Sequence, residues 1–227
     1  YCTHVKGELG GKPFLLEDWQ KDDIIRPLFG TLRSDGLRQY RQAYIEVPRK
    51  NGKSNLCAAI ALYMLFADGE PGAEIISAAG DRNQARIVFE IASAMCANNP
   101  KLSGHGKVLR NSIHYKNSFY KAISAEANTK HGFNAHAVIL DELHVFPNRD
   151  LYDVLKTSTG ARTQPLVIAI TTAGHDTSSI CYELHDYAKK VKEGSVEDDT
   201  FLPVIYSADK DDDWTQPATW EKANPGY

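Results

Sequence analysis

The stretch Gln42-Ala-Tyr-Ile-Glu-Val-Pro-Arg-Lys-Asn-Gly-Lys-Ser-Asn55 decides the fold of this chain of 227 residues. Tyr44, Ile45 and Val47 favour a β-strand, and a polar loop then begins. The apolar run 56–66, rich in Ala and Leu, predicts a buried helix directly after the loop. A strand, a polar loop and a helix in this order are typical of a loop that binds phosphate groups.

The end of that loop, Gly52-Lys53-Ser54, has the residue types that phosphate binding requires. Gly52 lets consecutive N–H groups face one anion at the positive end of the helix. Lys53 would reach the β- and γ-phosphates, and the Ser54 hydroxyl would ligate Mg²⁺. The usual pattern also has a glycine five residues before Gly52, where this chain has Val47. Because the tripeptide alone also occurs in solvated turns, a second motif is needed to choose between the two interpretations.

The second motif is Ala137-Val-Ile-Leu140-Asp141-Glu142, a buried strand that ends in two adjacent acids. In parallel α/β sheets, ligands bind at the carboxyl ends of the strands. We assign Asp141 to Mg²⁺, directly or through water, and Glu142 to the general base that activates the attacking water. The alternative is that the two acids only cap a following helix. That alternative is weakened because the acids come 88 residues after Lys53, in a chain that already has a phosphate loop.

Two other positions in the sequence carry polar residues that a bound nucleotide would contact. Thr171 and Thr172 follow another buried strand within 165–174, where a hydroxyl would sense the γ-phosphate or its water. Ordinary capping of the strand end is the alternative. Gln20, beside Trp19, lies upstream of the loop, and its amide has the two-sided hydrogen bonding that reads adenine. The alternative there is a surface Gln next to a core Trp.

The remaining pattern predicts the elements around these motifs. Apolar periodicity and turn residues favour helices over about 17–28, 81–97 and 180–194, and strands over 74–79 and 201–206. Residues 112–115 and 118–124 are predicted to form a β-hairpin, and 98–111 to form a loop.

Basic residues gather in the middle of the chain. Arg82 and Arg86, four residues apart on one helical face, would meet phosphate, a neighbouring subunit or only solvent. The hairpin region is the most basic segment, and it is either a phosphate-contacting patch or a hydrated rim. Its basic residues are Lys101, Lys107, Arg110, Lys116 and Lys121.

Composition excludes several classes of protein. A hydrophobic content of 42% over 227 residues indicates one sizeable domain. A net charge of −3 argues against a globally basic nucleic-acid binder, so any contact with nucleic acid is local.

The four cysteines form no Cys-x-x-Cys pair, which favours a reduced, cytosolic setting. His131, His136 and His144 match no zinc-site spacing. No signal-peptide pattern is visible, and the longest apolar run, 56–67, is too short to span a bilayer.

Three motifs together resemble the large subunit of tailed-bacteriophage terminases: Pro48-Arg-Lys-Asn-Gly-Lys-Ser54, Leu140-Asp-Glu-Leu-His144 and Ile170-Thr-Thr-Ala-Gly174. Trp19-Gln20, Ser124-Ala-Glu-Ala127 and Trp220-Glu-Lys-Ala-Asn-Pro225 fit the same resemblance, which spans nearly the whole chain. The missing first glycine is itself common in that family. The resemblance implies an α/β fold of the ASCE-type P-loop NTPase class. In this fold helices flank a mostly parallel sheet, and one strand is inserted between the loop strand and the acidic strand.

The resemblance also implies roles for individual residues, with ATP and Mg²⁺ as cofactors. Arg49 would act on the γ-phosphate beside Lys53 and Glu142, and Thr171, Thr172 and Gly174 would form the coupling motif. The nucleotide would be held by Gln20, Pro48, Arg49, Lys50, Asn51, Gly52, Lys53, Ser54 and Asn55, and the metal by Ser54 and Asp141. Some members use a basic residue shortly before the acidic strand to act on a neighbouring subunit. Lys130 lies in that neighbourhood here, and Arg82 and Arg86 are the other candidates.

The implied role is a DNA-packaging motor in the cytoplasm of the infected bacterium. Its partners would be double-stranded DNA, the portal protein and the small terminase subunit, with no membrane. Copies would form a ring on the capsid and be monomers in isolation. We expect residues 1–208 to be the motor domain and 209–227 to start a linker toward a nuclease domain that this chain lacks. The chain is therefore expected to hydrolyse ATP without cutting DNA.

Two other functions share part of this pattern. A superfamily-2 helicase or translocase lobe would have the Gln, the phosphate loop and the Asp-Glu pair, followed by a second RecA-like lobe. A nucleotide-binding scaffold without turnover would be favoured by loss of Lys53 or Glu142, and both are present.

Overall fold

Within residues 2–125 and 132–226, which the computed structural model describes, the chain folds around one sheet of eight strands. The strands are Gln42–Glu46 (β1), Glu74–Ala79 (β2), Gly106–Val108 (β3), Ser112–Tyr115 (β4), Ser118–Ser124 (β5), Ala135–Asp141 (β6), Leu166–Thr171 (β7) and Phe201–Ile205 (β8). Their spatial order is β3-β4-β5-β2-β6-β7-β1-β8. The six strands from β5 onward in that order are parallel, and β3 and β4 extend the sheet as an antiparallel edge.

Helices cover both faces of this sheet. They are Arg26–Gly30 (α1), Lys53–Phe66 (α2), Arg82–Asn98 (α3), Pro100–Ser103 (α4), Asp150–Thr157 (α5), Ile180–Lys192 (α6) and Pro217–Ala223 (α7). A π-helical segment, Gln20–Ile25, leads into α1, and a 3₁₀ turn, Leu143–Val145, follows β6. The π-helical segment, α1, α2 and α3 pack on one face, whereas α5 and α6 pack on the other. Two apolar cores therefore lie on opposite sides of one sheet.

The central strands are apolar along their whole length because both faces are covered. Every residue of β6 and of β7 is buried. β7 lies between β1 and β6, pairing with each of them in parallel. The strand expected between the loop strand and the acidic strand is thus present, and the predicted fold class is confirmed.

Most predicted elements are confirmed, including the hairpin of β4 and β5. The predicted loop over 98–111 is wrong, because this segment contains α4 and β3. The side chain of Asn99 accepts a hydrogen bond from the backbone N–H of Lys101 at 2.9 Å and caps α4, and Pro100 provides the first helical residue. β3 then pairs with β4 and extends the hairpin to three strands.

A buried charge network lies at the opposite end of β6 from Asp141. Asp68 accepts hydrogen bonds from the Arg38 guanidinium and, over 2.7 Å, from His136 Nε2. The side chains of Arg38 and Asp68 are each 4% exposed, and that of His136 is fully buried. This network ties the end of α2 to the start of β6, away from the candidate site.

The described residues include no helix with the length and apolar character needed to cross a membrane. The segment 209–226, which the sequence predicts as the start of a linker, contains the short helix α7.

Candidate functional site

The carboxyl ends of three neighbouring strands, β1, β7 and β6, meet at one edge of the sheet. Glu46 at the end of β1 is level with Thr171 at the end of β7, and Asp141 at the end of β6 is level with Ile170. The phosphate loop leaves β1 at this edge and enters α2. Parallel pairing therefore brings together motifs that lie far apart in the sequence.

Two left-handed residues shape the phosphate loop. Lys50 has φ of 72°, and Gly52, directly before α2, has φ of 72° and ψ of 13°. Glycine adopts this conformation without strain, and it turns successive N–H groups to one side. The loop therefore ends at the positive N-terminus of a 14-residue helix, which is a favourable position for phosphate oxygens.

Lys53 is held inside this loop and is only 6% exposed. Its Nζ donates to the carbonyl oxygens of Val47 at 3.2 Å and Pro48 at 3.3 Å. The same ammonium lies 3.5 Å from Oε1 of Glu142, so it also joins the loop to the acidic strand end. A lysine so restrained presents its charge at a fixed point.

Asp141, at the end of β6, has a buried carboxylate. It is 3% exposed, and its Oδ1 has no hydrogen-bond partner among the described residues. Burial, with a smaller contribution from the Glu142 carboxylate, raises the pKa of Asp141 to about 7, although Lys53 opposes the shift. A buried carboxylate oxygen without a donor fits a divalent cation, since a cation would supply the missing interaction.

Glu142 is fixed by its backbone and by both of its carboxylate oxygens. Its φ of 51° and ψ of 54° are left-handed, a strained choice for a residue with a Cβ. Oε1 faces Lys53, and Oε2 accepts from the backbone N–H of Thr172 at 3.3 Å. This arrangement aims the carboxylate at the space above the loop.

His144 is a further candidate site residue, which the sequence did not single out. Its Nδ1 lies 3.3 Å from Oε2 of Glu142 and 3.0 Å from Oγ1 of Thr171. Because the Thr171 hydroxyl donates to the carbonyl of Thr172 at 2.8 Å, its oxygen can accept a hydrogen bond from Nδ1–H of His144. We therefore assign the Nδ1–H tautomer. Burial lowers the pKa of His144, which favours the neutral ring.

The feature that marks His144 is its position close to the acidic pair, and not the fact that it is a histidine. The histidines match no zinc spacing, but His144 stands two residues after Glu142, in the turn that faces the end of β7. Gly174 makes room for it: a Cβ at position 174 would lie 3.2 Å from Cβ of His144.

A cavity of about 650 Å³ opens above the loop. It brings together six of the nine residues predicted to bind the nucleotide, the predicted base Glu142, and also Gln84 and His144. The six are Arg49, Lys50, Gly52, Lys53, Ser54 and Asn55. A larger cavity of about 770 Å³ lies beside α6 and β8, away from the phosphate loop. We place the site in the smaller cavity, because that one contains the loop lysine and the acid.

Gln20 is buried and does not line the cavity, although it lies against the loop. It is 2% exposed, and its Oε1 accepts from the backbone N–H of Glu17 at 3.2 Å. A Cβ on Gly52 would come within 3.4 Å of its Nε2. Asn51 is similarly buried, and its Oδ1 accepts from the backbone N–H of Gly226 at 3.1 Å. These contacts join the N- and C-terminal segments to the phosphate loop.

Of the three residues considered for action on a neighbouring subunit, the two that the structure describes lie outside this cavity. Arg82 and Arg86 line a separate groove on the far side of α3. Lys130 lies outside the described residues.

Comparisons with known proteins agree with this geometry. The family described as "Terminase large subunit, ATPase domain" matches residues 18–190. The large terminase subunit of Enterobacteria phage HK97 is 33% identical over 235 residues, which cover 99% of this chain and 44% of that protein. The crystal structure of the HK97 large terminase superposes with a TM-score of 0.83 at 30% identity, over 96% of this chain and 44% of that one. The large terminase ATPase domain of Thermus phage P74-26 shares the fold, with a TM-score of 0.53 at 19% identity over 71% of this chain and 72% of that one. The chain thus spans less than half the length of its HK97 relative.

Proposed function

The chain belongs to the family of terminase large subunit ATPase domains, and from that premise we propose that it powers the movement of double-stranded DNA into the procapsid. It is an ATPase of the ASCE-type P-loop class. The observation that carries the catalytic part of the proposal is the position of Glu142. Its carboxylate lies between the loop lysine, Lys53, and the end of β7 at Thr172.

Mg-ATP would be held by the loop and the acidic strand together. Residues 48–55 would bind the phosphates through backbone N–H groups and Lys53, and Gln20 would define the adenine end. Ser54 and Asp141 would hold Mg²⁺, whose chemistry is to neutralise charge on the phosphate oxygens. The buried Oδ1 of Asp141, which has no donor among the described residues, supports this assignment.

Glu142 would act as the general base. Its contacts orient it, with His144 and Thr172 on one oxygen and Lys53 near the other. A base fixed in this way can accept a proton from water without first reorganising. Arg49 is exposed at the rim of the cavity, where it would offset charge that develops on the γ-phosphate.

Thr171, Thr172 and Gly174 would couple the chemistry to movement. Thr172 contacts Glu142, and Thr171 lies 3.9 Å from Sγ of Cys181 on α6. A change at the carboxylate would therefore reach α6 through two successive residues of one strand end. This local contact chain supports the coupling role.

The proposed partners follow from the family. They are double-stranded DNA, a portal protein and a small terminase subunit, in the cytoplasm of the infected host. Copies of the chain would form a ring on the capsid, with Lys130, Arg82 or Arg86 as candidates for action on a neighbour. The family assignment sets aside the superfamily-2 helicase alternative.

The test is the steady-state ATPase rate across a wide range of protein concentration, with Glu142→Gln as the control. We expect turnover that the control abolishes. A rate per chain that rises with concentration would show that a neighbour supplies a catalytic group, whereas a flat rate would favour Arg49. Turnover that survives Glu142→Gln would contradict the assignment of the base.

Two other outcomes bear on the alternatives. Binding without turnover at any concentration, with DNA and portal protein added, would indicate a nucleotide-binding scaffold. Nicking of plasmid DNA with Mg²⁺ or Mn²⁺ would contradict the expectation that this chain does not cut DNA.

A further inference from the structure

Positive charge is concentrated at one edge of the sheet. Residues 82–121, from α3 through the start of β5, contain seven Lys or Arg against one Asp or Glu. The rest of the chain contains nineteen against twenty-eight. We call residues 82–121 the basic edge. An acidic protein with one strongly basic edge has a local surface that suits a polyanion.

Four basic side chains of this edge line a single groove. The groove has a volume of about 780 Å³ and lies between α3 and the strands β3 and β5. Its basic residues are Arg82, Arg86, Arg110 and Lys121. Three of them are exposed, and Lys121 is half-buried. The one acid in the groove, Glu90, lies 3.0 Å from Arg86, so the groove keeps a net positive charge.

Regular structure fixes the two walls of the groove. Arg82 and Arg86 stand one turn apart on α3, whose start is capped by the side chain of Asp81. Lys121 lies in β5 opposite Ser112 of β4, and Arg110 lies in the short turn between β3 and β4. Three of the four charges are therefore held by a helix and a strand, and the fourth by a short turn between paired strands, which limits the entropy lost when a ligand binds.

We propose that this groove contacts the phosphate backbone of double-stranded DNA, an inference that rests on the proposed function as a DNA motor. Arginine suits phosphate because its guanidinium donates two parallel hydrogen bonds. Contacts to phosphate carry no sequence information. A motor that moves DNA of any sequence requires this kind of contact.

A second copy of the chain is the competing partner for a basic surface. Many carboxylates outside the basic edge are already paired with cations of the same chain. The paired carboxylates include those of Asp22, Asp35, Asp68, Glu70, Asp153, Glu183, Asp186, Asp209 and Asp212. Duplex DNA, in contrast, offers about one unpaired charge per 1.7 Å of helix. Charge complementarity thus favours DNA over another copy of this chain.

The experiment measures binding of a short fluorescent DNA duplex of mixed sequence over a series of salt concentrations. The test variant is Arg110→Gln/Lys121→Gln, which removes two charges from the groove and leaves the nucleotide site unchanged. The matched control is Arg26→Gln/Lys190→Gln, which removes one Arg and one Lys from exposed ion pairs outside the basic edge.

We expect the groove variant to bind the duplex at least about tenfold more weakly than the unaltered chain. Its slope of log affinity against log salt should fall by about 1.8, since each phosphate contact contributes about 0.9. The control should keep the slope of the unaltered chain.

The outcomes separate this inference from the proposed function. If the groove variant and the control bind the duplex equally, or if the unaltered chain does not bind at low salt, the inference is overturned while ATP turnover still stands. If the groove variant keeps DNA binding but changes its sedimentation, the groove is a contact between copies of the chain. Absence of ATP turnover by the unaltered chain, with DNA and portal protein added, would instead contradict the proposed function.

Discussion

The imidazole Nδ1 of His144 lies 3.3 Å from Oε2 of Glu142. Both residues belong to one short turn after β6, and the same Nδ1 reaches Thr171 at the end of the neighbouring strand. We therefore expect the histidine to act as a positioning residue, because it contacts the proposed base. The orientation of the proposed base therefore depends on His144, whose side chain links the turn after β6 to the end of β7.

Removing the imidazole should slow hydrolysis more than it weakens ATP binding. For His144→Ala we expect kcat to fall at least about tenfold with KM for ATP nearly unchanged, since a loss of about 1.4 kcal/mol in the orientation of the base corresponds to a tenfold change in rate. Steady-state ATPase kinetics measure both quantities. His105→Ala, which alters an exposed histidine outside the site, should leave them unchanged.

Two conservative variants distinguish positioning from general structural support. His144→Asn keeps a nitrogen donor at the same number of bonds from Cβ as Nδ1, so it should recover part of kcat. His144→Gln moves the donor one bond outward and should recover less. Equal rates for the Ala, Asn and Gln variants would contradict a positioning role.

Replacing the base itself should separate binding from chemistry. Glu142→Gln keeps the shape of the side chain but cannot accept the proton, so hydrolysis should fall by at least about a hundredfold while ATP binding is nearly retained. Lys53→Ala should weaken both, because it removes the charge that meets the phosphates. Binding of a fluorescent ATP analogue, measured beside turnover, checks the two variants. Normal turnover by Glu142→Gln would show that another group is the base.

The small size of Gly174 should matter for catalysis. In Gly174→Ala the new Cβ would lie 3.2 Å from Cβ of His144, so the histidine must move by a few tenths of an ångström. We expect kcat to fall severalfold, and much less in a His144→Ala background, because the misplaced group is then absent. A double-mutant cycle on kcat measures this coupling. Gly30→Ala is the control, since nothing lies within 4 Å of its new Cβ.

The sequence predicted the architecture because its signals were local. Continuous apolar runs in β6 and β7 required burial on both faces, and the loop before α2 has glycine where a left-handed residue is needed. The predicted loop over 98–111 failed because α4 and β3 are very short. They depend on one cap at Asn99 and on pairing with β4, and neither has a periodic pattern.

Contacts between motifs were less accessible from the sequence. The sequence places Glu142 after a strand, but the hydrogen bond from Thr172 depends on β7 lying beside β6, which only the sheet order reveals. The same dependence explains why His144 was missed. Its function follows from the neighbouring strand end rather than from its own local pattern.

Neutralising Asp141 should stabilise the protein while removing activity. Asp141→Asn removes a buried carboxylate whose pKa is raised to about 7 and whose Oδ1 has no hydrogen-bond partner among the described residues. Without added divalent cations we expect a gain of at least about 1 kcal/mol, or about 2–4 °C in Tm. Thermal unfolding in the presence of a chelator measures this change in Tm.

Glu142→Gln is the control. It removes one charge from a less buried and better paired position, so it should change Tm less. A lower Tm for Asp141→Asn would show that Lys53 stabilises the carboxylate more than burial disfavours it.

Breaking the buried network at the other end of β6 should have the opposite effect. Asp68 serves both Arg38 and His136, and all three side chains are almost completely buried. Asp68→Ala leaves the guanidinium without its counter-ion and should cost about 3–5 kcal/mol, because the remaining charge stays out of water. For a chain of this size that corresponds to a decrease in Tm of about 6–20 °C.

Two comparisons make this last prediction specific. Asp22→Ala removes the partner of Arg26 in an exposed pair, and it should change stability by less than about 1 kcal/mol. At temperatures where Asp68→Ala remains folded, its kcat should match that of the unaltered chain, because the network lies at the far end of the strand from Asp141. A small change in Tm for Asp68→Ala would mean that water or Gln164, whose carbonyl oxygen already accepts from Arg38 at 2.8 Å, compensates the lost carboxylate.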